Sequence, residues 1–382
     1  MPIVDRTARR LTQAFIHLDH VTHNLWLLQR QAAPAAVWPV LKANAYGHDA
    51  AMVAAHLVRL GCHTLCVADV EEAIALMDGG VRATFIILSA TLPQHSEALV
   101  AYDCQPVVCT FEMVETLAAV GKKSGKRVPV HVKVDTGMGR LGIQSEALGA
   151  FLDRCRNFSS IEVRGLMSHF PRADEADKSY STAQLSRFRR VVEMTKNSGI
   201  KTYHMANSAA IFALPDSHFN AVRPGIALYG LQPAATIAHA AARALKPVLE
   251  LKTQVIFLKE VAAGVGLSYG HAFHTQRPSL IATLPIGYGD GLSRNLSGRI
   301  DVLVRGVRCT QVGRITMDLS LVDVTALRGQ VELGDEVVII GRQSNEEISA
   351  DELAAKLGTI NYEIVTGISH RVPRVAIENT PE

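Results

Sequence analysis

Short apolar runs alternate with helical patterns over the first two-thirds of the chain. Eight runs have the length and residue types of buried strands: Val37–Leu41, Thr64–Ala68, Thr84–Leu88, Pro106–Cys109, Val128–Val134, Val163–Ser168, Thr202–Met205 and Ala221–Val222. Amphipathic helical patterns lie before and between them, at His20–Gln31, Ala50–Leu60, Val70–Met77, Phe111–Val120, Ser145–Arg156 and Thr182–Lys196. This is the strand count of a (β/α)8 barrel, although a doubly wound open sheet gives the same alternation.

The positions of polar residues favour the barrel. They stand at the carboxyl ends of several predicted strands: Lys42, Arg140, His169, His204, Asn207 and Arg223. In a barrel these ends converge on one face, whereas in an open sheet the first and last strands lie far apart. A barrel also has a common phosphate site after strands seven and eight, where Ser208 and the backbone amides of Gly225 and Ile226 are placed. We therefore predict a TIM-like barrel with its site on that face.

The pattern changes near Lys246 to short strands separated by glycine-rich turns. Val248–Val261 alternates with the period of a half-solvated antiparallel strand. Further strands are predicted at Ser279–Leu284, Asp301–Val304, Ser320–Val324 and Glu336–Ile340, and one helix at Ser349–Leu357, where Ser349 and Glu352 have capping-box spacing. The prediction is an α/β barrel domain, residues 1–243, followed by a mostly β domain, residues 244–382.

Composition narrows the class of protein. The chain has 382 residues and a net charge of +3, which is too small to indicate nucleic acid or a membrane surface as a partner. Residues 1–13 lack the apolar segment of a signal peptide, and no apolar run approaches the ~20 residues that span a bilayer. The six cysteines include no Cys-x-x-Cys pair and are interpreted as free thiols, with no metal site. We expect a cytoplasmic protein.

Lys42 ends the first apolar run, and it is either solvated at the rim or held in a pocket, where a lysine can form a Schiff base. Its surroundings, V-L-K-A-N-A-Y-G-H, resemble the pyridoxal-phosphate lysine motif of the alanine racemases. The resemblance continues in family order through further blocks: Lys133–Gly142, Ser168–Phe170, Asn207-Ser208, Arg223–Gly230, Ser268–Gly270, Leu284–Gly291, Gly313–Asp318 and Ile360–Arg374. It therefore covers nearly the whole chain.

The resemblance implies roles for the reacting groups. Lys42 is similar to the lysine that anchors pyridoxal 5'-phosphate and serves as the base on one face of the substrate. Tyr269 resembles the base on the opposite face, which reaches into the partner subunit's site, with His169 and Arg223 behind it. Arg223 is also similar to the residue that faces the pyridine nitrogen, and His204 to the histidine bonded to that arginine. A guanidinium keeps its protons, so it donates a hydrogen bond without protonating the ring.

Other matches concern cofactor and substrate binding. The residues similar to the family's cofactor contacts are hydroxyls, an amide side chain and backbone amides: Tyr46, Asn207, Ser208, Gly225, Ile226 and Tyr362. Arg140 resembles the residue that contacts the phenolic oxygen of the cofactor on the side where the substrate binds. Lys133 resembles a lysine that is often carbamylated in this family. Tyr288 and Met317 are similar to residues that line the partner's substrate entrance. The family more often has cysteine where this chain has Thr316, which leaves the fine substrate preference open.

The expected function is a homodimeric racemase that interconverts L-alanine and D-alanine and supplies D-alanine for peptidoglycan. Three alternatives stay open: a racemase for another small amino acid such as serine, a barrel-type pyridoxal-phosphate decarboxylase, and a non-catalytic pyridoxal-phosphate-binding protein. A decarboxylase needs no base on the opposite face, so Tyr269 argues against it. A carrier is a single barrel, so the second domain argues against the last alternative.

Overall fold

The computed structural model describes residues 10–378. The expectation that the N-terminus carries no leader rests largely on residues 1–9, which lie outside that range. The chain forms two compact units. One unit spans His20–Lys246, and the other is assembled from residues 10–19 and 247–378.

The first unit is a parallel barrel, as predicted. Its strands are, in chain order, Ala36–Val37, Thr64–Val67, Thr84–Ile87, Gln105–Val108, Val128–Asp135, Ile161–Met167, Thr202–His204 and Ala221–Val222. From the second strand to the eighth, each pairs with the next in the sequence, and the last strand pairs with the first through Ala221 and Ala36. A single bridge between Val40 and Cys66 connects the first segment to the second strand and closes the ring. This closure excludes the open-sheet alternative.

Helices connect the barrel strands. The main ones are Leu18–Ala32, Ala50–Arg59, Val70–Asp78, Ser96–Ala101, Phe111–Lys123, Leu148–Cys155, Ser179–Thr195 and Ser208–Ala213. Side chains at helix N-termini accept hydrogen bonds from otherwise unpaired backbone N–H groups, as Asp49 does from Met52 and Asp69 from Glu72. Apolar faces of the helices pack inward against the strands, which gives the unit its core.

The second unit is mostly β, as predicted. Its principal strands are Gln13–His17, Leu249–Gln254, Phe257–Val261, Ser279–Leu284, Asp301–Val304, Val307–Val312, Ser320–Asp323, Glu336–Gln343 and Arg374–Ile377. The single strand expected at Val248–Val261 is two strands with different partners. Leu249–Gln254 pairs with Glu336–Gln343, whereas Phe257–Val261 pairs with Ser279–Leu284. The chain changes partners at Val255 and Ile256, a change that an uninterrupted alternation of side chains does not reveal.

The two ends of the chain meet in this second unit. Gln13–His17 pairs antiparallel with Leu249–Gln254 and parallel with Arg374–Ile377. The predicted division at residue 243 had placed the start of the chain with the barrel. Because a five-residue strand whose partners lie more than 200 residues away leaves no local signal, the sequence pattern could not reveal this pairing.

Two helices stand near the end of the second unit. The predicted one runs from Ala350 to Leu357, and the hydroxyl of Ser349 accepts a 3.0 Å hydrogen bond from the N–H of Glu352. A second helix, Asn361–Thr366, was not predicted. The six cysteines are free thiols, five of them buried. No helix within residues 10–378 is long and apolar enough to cross a membrane.

Candidate active site

Several predicted barrel residues act on one another electrostatically. Burial lowers the pKa of His169 well below its ordinary value, and four positive charges lower it further: Arg223, Lys133, Arg140 and Lys42. These four residues lie on or after three different strands, yet each contributes to the electrostatic field at one imidazole. The structure therefore brings them together at the carboxyl ends of the strands, as the sequence predicted.

Lys42 begins an unusual turn of backbone. Ala43, Asn44, Ala45 and Tyr46 all have φ between 53° and 55°, in the left-handed region. A residue with a Cβ in a rarely populated backbone region costs about 1–3 kcal/mol, so surrounding contacts must hold four in succession. Such turns cluster at functional sites, and the residue that opens this one is the proposed cofactor lysine.

Glu72 supplies one of those contacts. One carboxylate oxygen accepts a 2.6 Å hydrogen bond from the N–H of Ala43, and the other accepts a 2.8 Å bond from the N–H of Ala68. The side chain of Asn44 also accepts a 2.8 Å bond from the N–H of Ala50. These bonds connect the turn to the end of the second barrel strand and to the helix Ala50–Arg59.

The environment of Lys42 favours its neutral amine. Although the residue is exposed to solvent in the single chain, desolvation of its amine lowers its pKa, and the positive charge of Arg140 lowers it further. The negative charge of Glu72 acts in the opposite direction. Only a neutral amine can attack a carbonyl group, so this environment suits the proposed covalent role.

The loops after strands seven and eight meet at the side chain of Ser208, a place that we call the donor cradle. The hydroxyl oxygen of Ser208 accepts bonds from the N–H groups of Gly225, at 2.9 Å, and Ala227, at 3.2 Å. Because both lone pairs of that oxygen are used, its own proton is left to donate. The side chain of Asn207 accepts a 3.0 Å bond from the N–H of Ala210 and so caps the short helix that begins at Ser208.

Tyr46 packs directly on the glycine of this cradle. A Cβ added at Gly225 would lie 2.2 Å from the Tyr46 hydroxyl oxygen, so no larger residue fits there. The Tyr46 ring is in turn packed on that of Tyr229, whose hydroxyl donates a 2.8 Å hydrogen bond to the carbonyl of Val40. The left-handed turn after Lys42 therefore brings a hydroxyl group to the same place as Ser208 and Gly225.

Arg223 is buried and held from several sides. One terminal nitrogen, Nη1, lies 2.6 Å from Nδ1 of His204, and the other, Nη2, donates to the carbonyls of Ser168, at 2.8 Å, and Met205, at 3.3 Å. Burial lowers the pKa of Arg223 to about 10, so the guanidinium stays charged at neutral pH. No carboxylate forms an ion pair with it within the described part of the chain.

Lys133 is a buried lysine in a region rich in positive charge. Desolvation, Arg223 and Arg140 lower its pKa to about 8, against opposing effects of Cys109 and Asp135. The loop that carries Arg140 begins at Asp135, whose carboxylate accepts bonds from the N–H groups of Gly137, Met138 and Gly139. A lysine in this environment spends more time as the neutral amine than an exposed one does.

The remaining predicted residues lie in the second unit. Tyr269, Tyr288 and Met317 are exposed by 70%, 42% and 52%. The backbone N–H of Tyr288 donates a 2.9 Å hydrogen bond to the carbonyl of Thr316, so Tyr288 and Met317 lie on adjacent loops. The hydroxyl of Ser268, next to Tyr269, donates a 2.7 Å bond to the carbonyl of Arg314 in the same loop as Met317.

Tyr362 lies on the unpredicted helix Asn361–Thr366 and is half-buried. The structure therefore brings three of the four predicted residues of this unit onto connected loops and places the fourth on a separate element.

Family models match both units. The model for the alanine racemase N-terminal domain matches residues 16–233, and the model for the C-terminal domain matches residues 248–376. The chain belongs to the alanine racemase family.

Individual members of the family match over nearly the full chain. An alanine racemase of Clostridium novyi is 39% identical over 96% of this chain and 95% of its own length. Alanine racemase 2 of Caldanaerobacter subterraneus is 42% identical over 96% of this chain and 95% of its own length. Among solved structures, the alanine racemase of Clostridium difficile has a TM-score of 0.92 at 34% identity, covering 98% of this chain and 97% of that one. The alanine racemase of Bacillus anthracis with bound L-Ala-P has a TM-score of 0.90 at 37% identity, covering 97% and 96%.

Alanine racemases are isomerases that depend on pyridoxal phosphate, and the barrel residues suit this cofactor. The cofactor needs a neutral amine for its aldehyde and donors for its phosphate dianion. Lys42 offers the amine, and the hydroxyl of Ser208 offers a donor beside Gly225, against which the Tyr46 hydroxyl packs. The chemistry of this donor set therefore matches the group that the family uses.

Sequence reasoning missed Glu72, which bonds the turn after Lys42. It also missed His131, whose Nδ1 lies 2.9 Å from Nε2 of His204, and Gln105, whose Oε1 lies 3.0 Å from Nε2 of His131. A signal existed for His131, because alternation within Val128–Val134 places it on the same side of the strand as Lys133. Glu72 gave no such signal, since its position at the start of a helix is explained by the favourable effect of acidic residues there.

Proposed function

We propose that this chain is an alanine racemase that interconverts L-alanine and D-alanine with pyridoxal phosphate bound in its barrel. The observation that carries the proposal is the environment of Lys42. Its pKa is lowered, and the turn that it opens brings Tyr46 against Gly225 in the donor cradle. A reactive amine and an anion cradle held by one segment suit a cofactor with an aldehyde and a phosphate.

When bound, pyridoxal phosphate supplies an electron sink for the charge left when the Cα proton is removed. In the proposal Lys42 would hold the cofactor through Nζ, and its free amine would serve as a base. Its amine then removes or returns the Cα proton on one face. The lowered pKa of Lys42 supports both tasks, because attack on the aldehyde and removal of the Cα proton each need the neutral amine.

Arg223 is proposed to face the nitrogen of the pyridine ring. Its pKa of about 10 means that it donates a hydrogen bond without giving up its proton. The electron sink is then weaker than one supported by a carboxylic acid. A weaker sink disfavours a long-lived carbanion, which limits protonation at the wrong carbon. This arrangement suits a racemase, whose only task is to return the proton to Cα.

Tyr269 is proposed as the base on the opposite face. A tyrosine has an ordinary pKa of ~10, so cations must stabilise its phenolate before it acts as a base. His169 and Arg223 are the proposed partners, in a region where four cations act on one imidazole. Burial and these charges keep His169 neutral at pH 7, so it would act on Tyr269 through a hydrogen bond and not through a charge.

The working unit is proposed to be a homodimer with two shared sites. Tyr269, Tyr288 and Met317 are exposed, and large exposed side chains on connected loops are typical of an interface. A twofold axis would let each subunit give these residues to its partner's site, with Tyr288 and Met317 lining the substrate entrance and Tyr362 completing the cofactor site. We place this dimer in the cytoplasm, where D-alanine is needed for peptidoglycan precursors.

Lys133 is proposed to carry a carbamate. Its neutral amine would attack CO2, forming a C–N bond and releasing one proton. The product is an anion, which would offset the positive charges of Arg140 and Arg223 that now lower its pKa. Arg140 would then be held in place to contact the cofactor's phenolic oxygen and the substrate.

One incubation tests the proposed reaction. The enzyme is given L-alanine in deuterium oxide, and optical rotation and α-proton exchange are followed together, with D-alanine in a parallel reaction. Both solutions should converge on zero rotation with deuterium at Cα. Release of CO2 would indicate a decarboxylase. Cofactor binding without any change in optical rotation or deuterium content would indicate a carrier. Faster racemisation of serine than of alanine would change the substrate assignment.

A further inference from the structure

A chain of three hydrogen bonds runs behind Arg223 through the barrel interior. Nη1 of Arg223 lies 2.6 Å from Nδ1 of His204, Nε2 of His204 lies 2.9 Å from Nδ1 of His131, and Nε2 of His131 lies 3.0 Å from Oε1 of Gln105. The four side chains are at most 7% exposed. Both ring nitrogens of both histidines are therefore engaged away from bulk water.

The position of every ring proton in this series of hydrogen bonds follows from Arg223, its first member. A guanidinium nitrogen can only donate, so Nδ1 of His204 must accept and its proton must lie on Nε2. Nδ1 of His131 then accepts a hydrogen bond from the Nε2–H group of His204. The single ring proton of a neutral His131 must therefore lie on its Nε2. That proton faces the carbonyl oxygen of Gln105, which can only accept. The order of donors and acceptors is consistent from end to end.

The barrel strands leave space for this series of hydrogen-bonded side chains. Gln105, His131 and His204 lie on three strands, and the strand between those of His131 and His204 has a glycine at this level, Gly165, in register with His131. A Cβ at Gly165 would lie 2.4 Å from Nδ1 of His131. The ring of Trp38 contacts both imidazoles edge-on, with centroids 6.0 Å from His131 and 5.0 Å from His204.

Both imidazoles are neutral near pH 7, as the chain requires. Burial, with the charges of Arg164 and Arg223, lowers the pKa of His131 to about 3. Burial, with Arg223 and His131, lowers the pKa of His204 well below its ordinary value. A protonated imidazole at either position would place two donors against each other somewhere in the chain.

We propose that His131 and Gln105 are positioning residues for Arg223. They give the Nε2 proton of His204 a buried acceptor and hold its ring where Nδ1 accepts a hydrogen bond from the guanidinium, and so fix the direction in which Arg223 presents its remaining protons. This inference rests on the proposed role of Arg223 beside the cofactor ring. Losing the acceptor at position 131 would leave the buried Nε2 proton of His204 without a partner, so the ring would no longer be held in place against Nη1 of Arg223.

The test compares two substitutions of similar size. Asn at position 131 places an amide oxygen near the position of Nδ1 and so keeps an acceptor for His204, whereas Leu removes it. Thr195→Val is the matched control, because Thr195 Oγ1 bonds the hydroxyl of Tyr203, the neighbour of His204, at 3.1 Å in a separate buried contact. The tautomers are measured in the cofactor-bound dimer from the ring 15N chemical shifts of labelled histidine.

We expect wild-type His204 and His131 to carry their protons on Nε2. His131→Asn should keep the His204 signals, whereas His131→Leu should change them and lower kcat about 10–100-fold with little change in KM, the usual effect of losing a group that orients a directly acting residue. Thr195→Val should do neither. A wild-type His204 protonated on Nδ1 would overturn the inference, and so would equal behaviour of the Asn and Leu variants. The tautomers are observed whether or not alanine is the substrate, so failure here is distinguishable from failure of the proposed function.

Discussion

A carboxylate oxygen of Glu72 accepts a 2.6 Å hydrogen bond from the backbone N–H of Ala43, the residue directly after Lys42. Its second oxygen bonds the N–H of Ala68 at the end of the neighbouring strand. Glu72 therefore fixes the first residue of the left-handed turn to the barrel, and its charge also acts on the amine of Lys42. One side chain thus affects both the position and the protonation of the proposed cofactor lysine.

Replacing Glu72 separates these two effects. Glu72→Gln keeps one oxygen acceptor and removes the charge that raises the pKa of Lys42, so that pKa should fall further. Glu72→Ala also removes both acceptors, and hydrogen bonds to a charged group are typically worth about 1.5–3 kcal/mol each, so the loss should lie at or below the low end of that range for these partly exposed bonds. The pKa can be measured from the pH dependence of Lys42 acetylation in cofactor-free enzyme, and stability from urea unfolding.

The adjacent Glu71→Ala is the matched control, since Glu71 is exposed and its ion pair with His95 is long, at 3.8 Å. It should leave both measurements nearly unchanged. An acetylation midpoint that does not move to lower pH in Glu72→Gln would mean that Glu72 has no electrostatic role at Lys42.

The candidate site shows which structural features can be predicted from a sequence pattern and which cannot. Lys42 and Arg223 were found because each follows an apolar run, and the carboxyl ends of parallel strands converge in a barrel. The left-handed conformation of Ala43–Tyr46 was not predicted, because alanine, asparagine and tyrosine ordinarily adopt negative φ. Only the tertiary contacts of Glu72 and Asn44 make this conformation stable, and no local pattern encodes them.

The second unit was predicted less completely for a related reason. Its strands were recognised where they alternate, as at Ser279–Leu284, but strand partners and the contribution of Gln13–His17 depend on pairing between distant segments. The helix at Asn361–Thr366 is too short to produce a clear period, although it carries Tyr362. Short elements whose stability comes from packing leave little trace in sequence.

Covalent attachment of the cofactor to Lys42 is directly testable. The purified protein should be yellow, and borohydride reduction followed by peptide mapping should place a pyridoxyl group on Lys42. The lowered pKa of its amine and the adjacent donor cradle are the reasons for choosing this lysine. Lys133, whose pKa is also lowered, is the internal comparison. A pyridoxyl group on Lys133, or on no lysine, would remove the basis of the mechanism.

Carbamylation of Lys133 should depend on pH in a defined direction. Its pKa of about 8, instead of the ordinary 10.5, leaves a substantial neutral fraction near pH 8. The carbamate should therefore increase as pH rises through 8 at a fixed concentration of dissolved CO2. A carbamate resonance in 13C NMR with labelled CO2 should disappear in Lys133→Gln and remain in Lys201→Gln, which removes an exposed lysine. A resonance that survives Lys133→Gln would assign the modification elsewhere.

Shared sites predict that two inactive chains can complement each other. Lys42→Ala removes the proposed cofactor anchor, and Tyr269→Phe removes the proposed second base. If each site takes Lys42 from one subunit and Tyr269 from the other, mixed dimers contain one intact site and one doubly altered site. Random reassortment should make half of the dimers mixed and restore about one-quarter of wild-type activity. No recovery despite proven subunit exchange would contradict the shared-site arrangement.

The most direct test of the two-base proposal is α-proton exchange by Tyr269→Phe in deuterium oxide. The substitution removes one exposed hydroxyl, so folding and cofactor binding should survive. Racemisation should fall by ~10²–10⁴-fold in both directions, the usual contribution of a positioned acid–base group, because the overall equilibrium cannot change. Exchange should be asymmetric: deuterium should still enter D-alanine through Lys42, while L-alanine stays nearly unlabelled. Equal residual exchange into both enantiomers would contradict the assignment of Tyr269 as the second base and direct attention to His169.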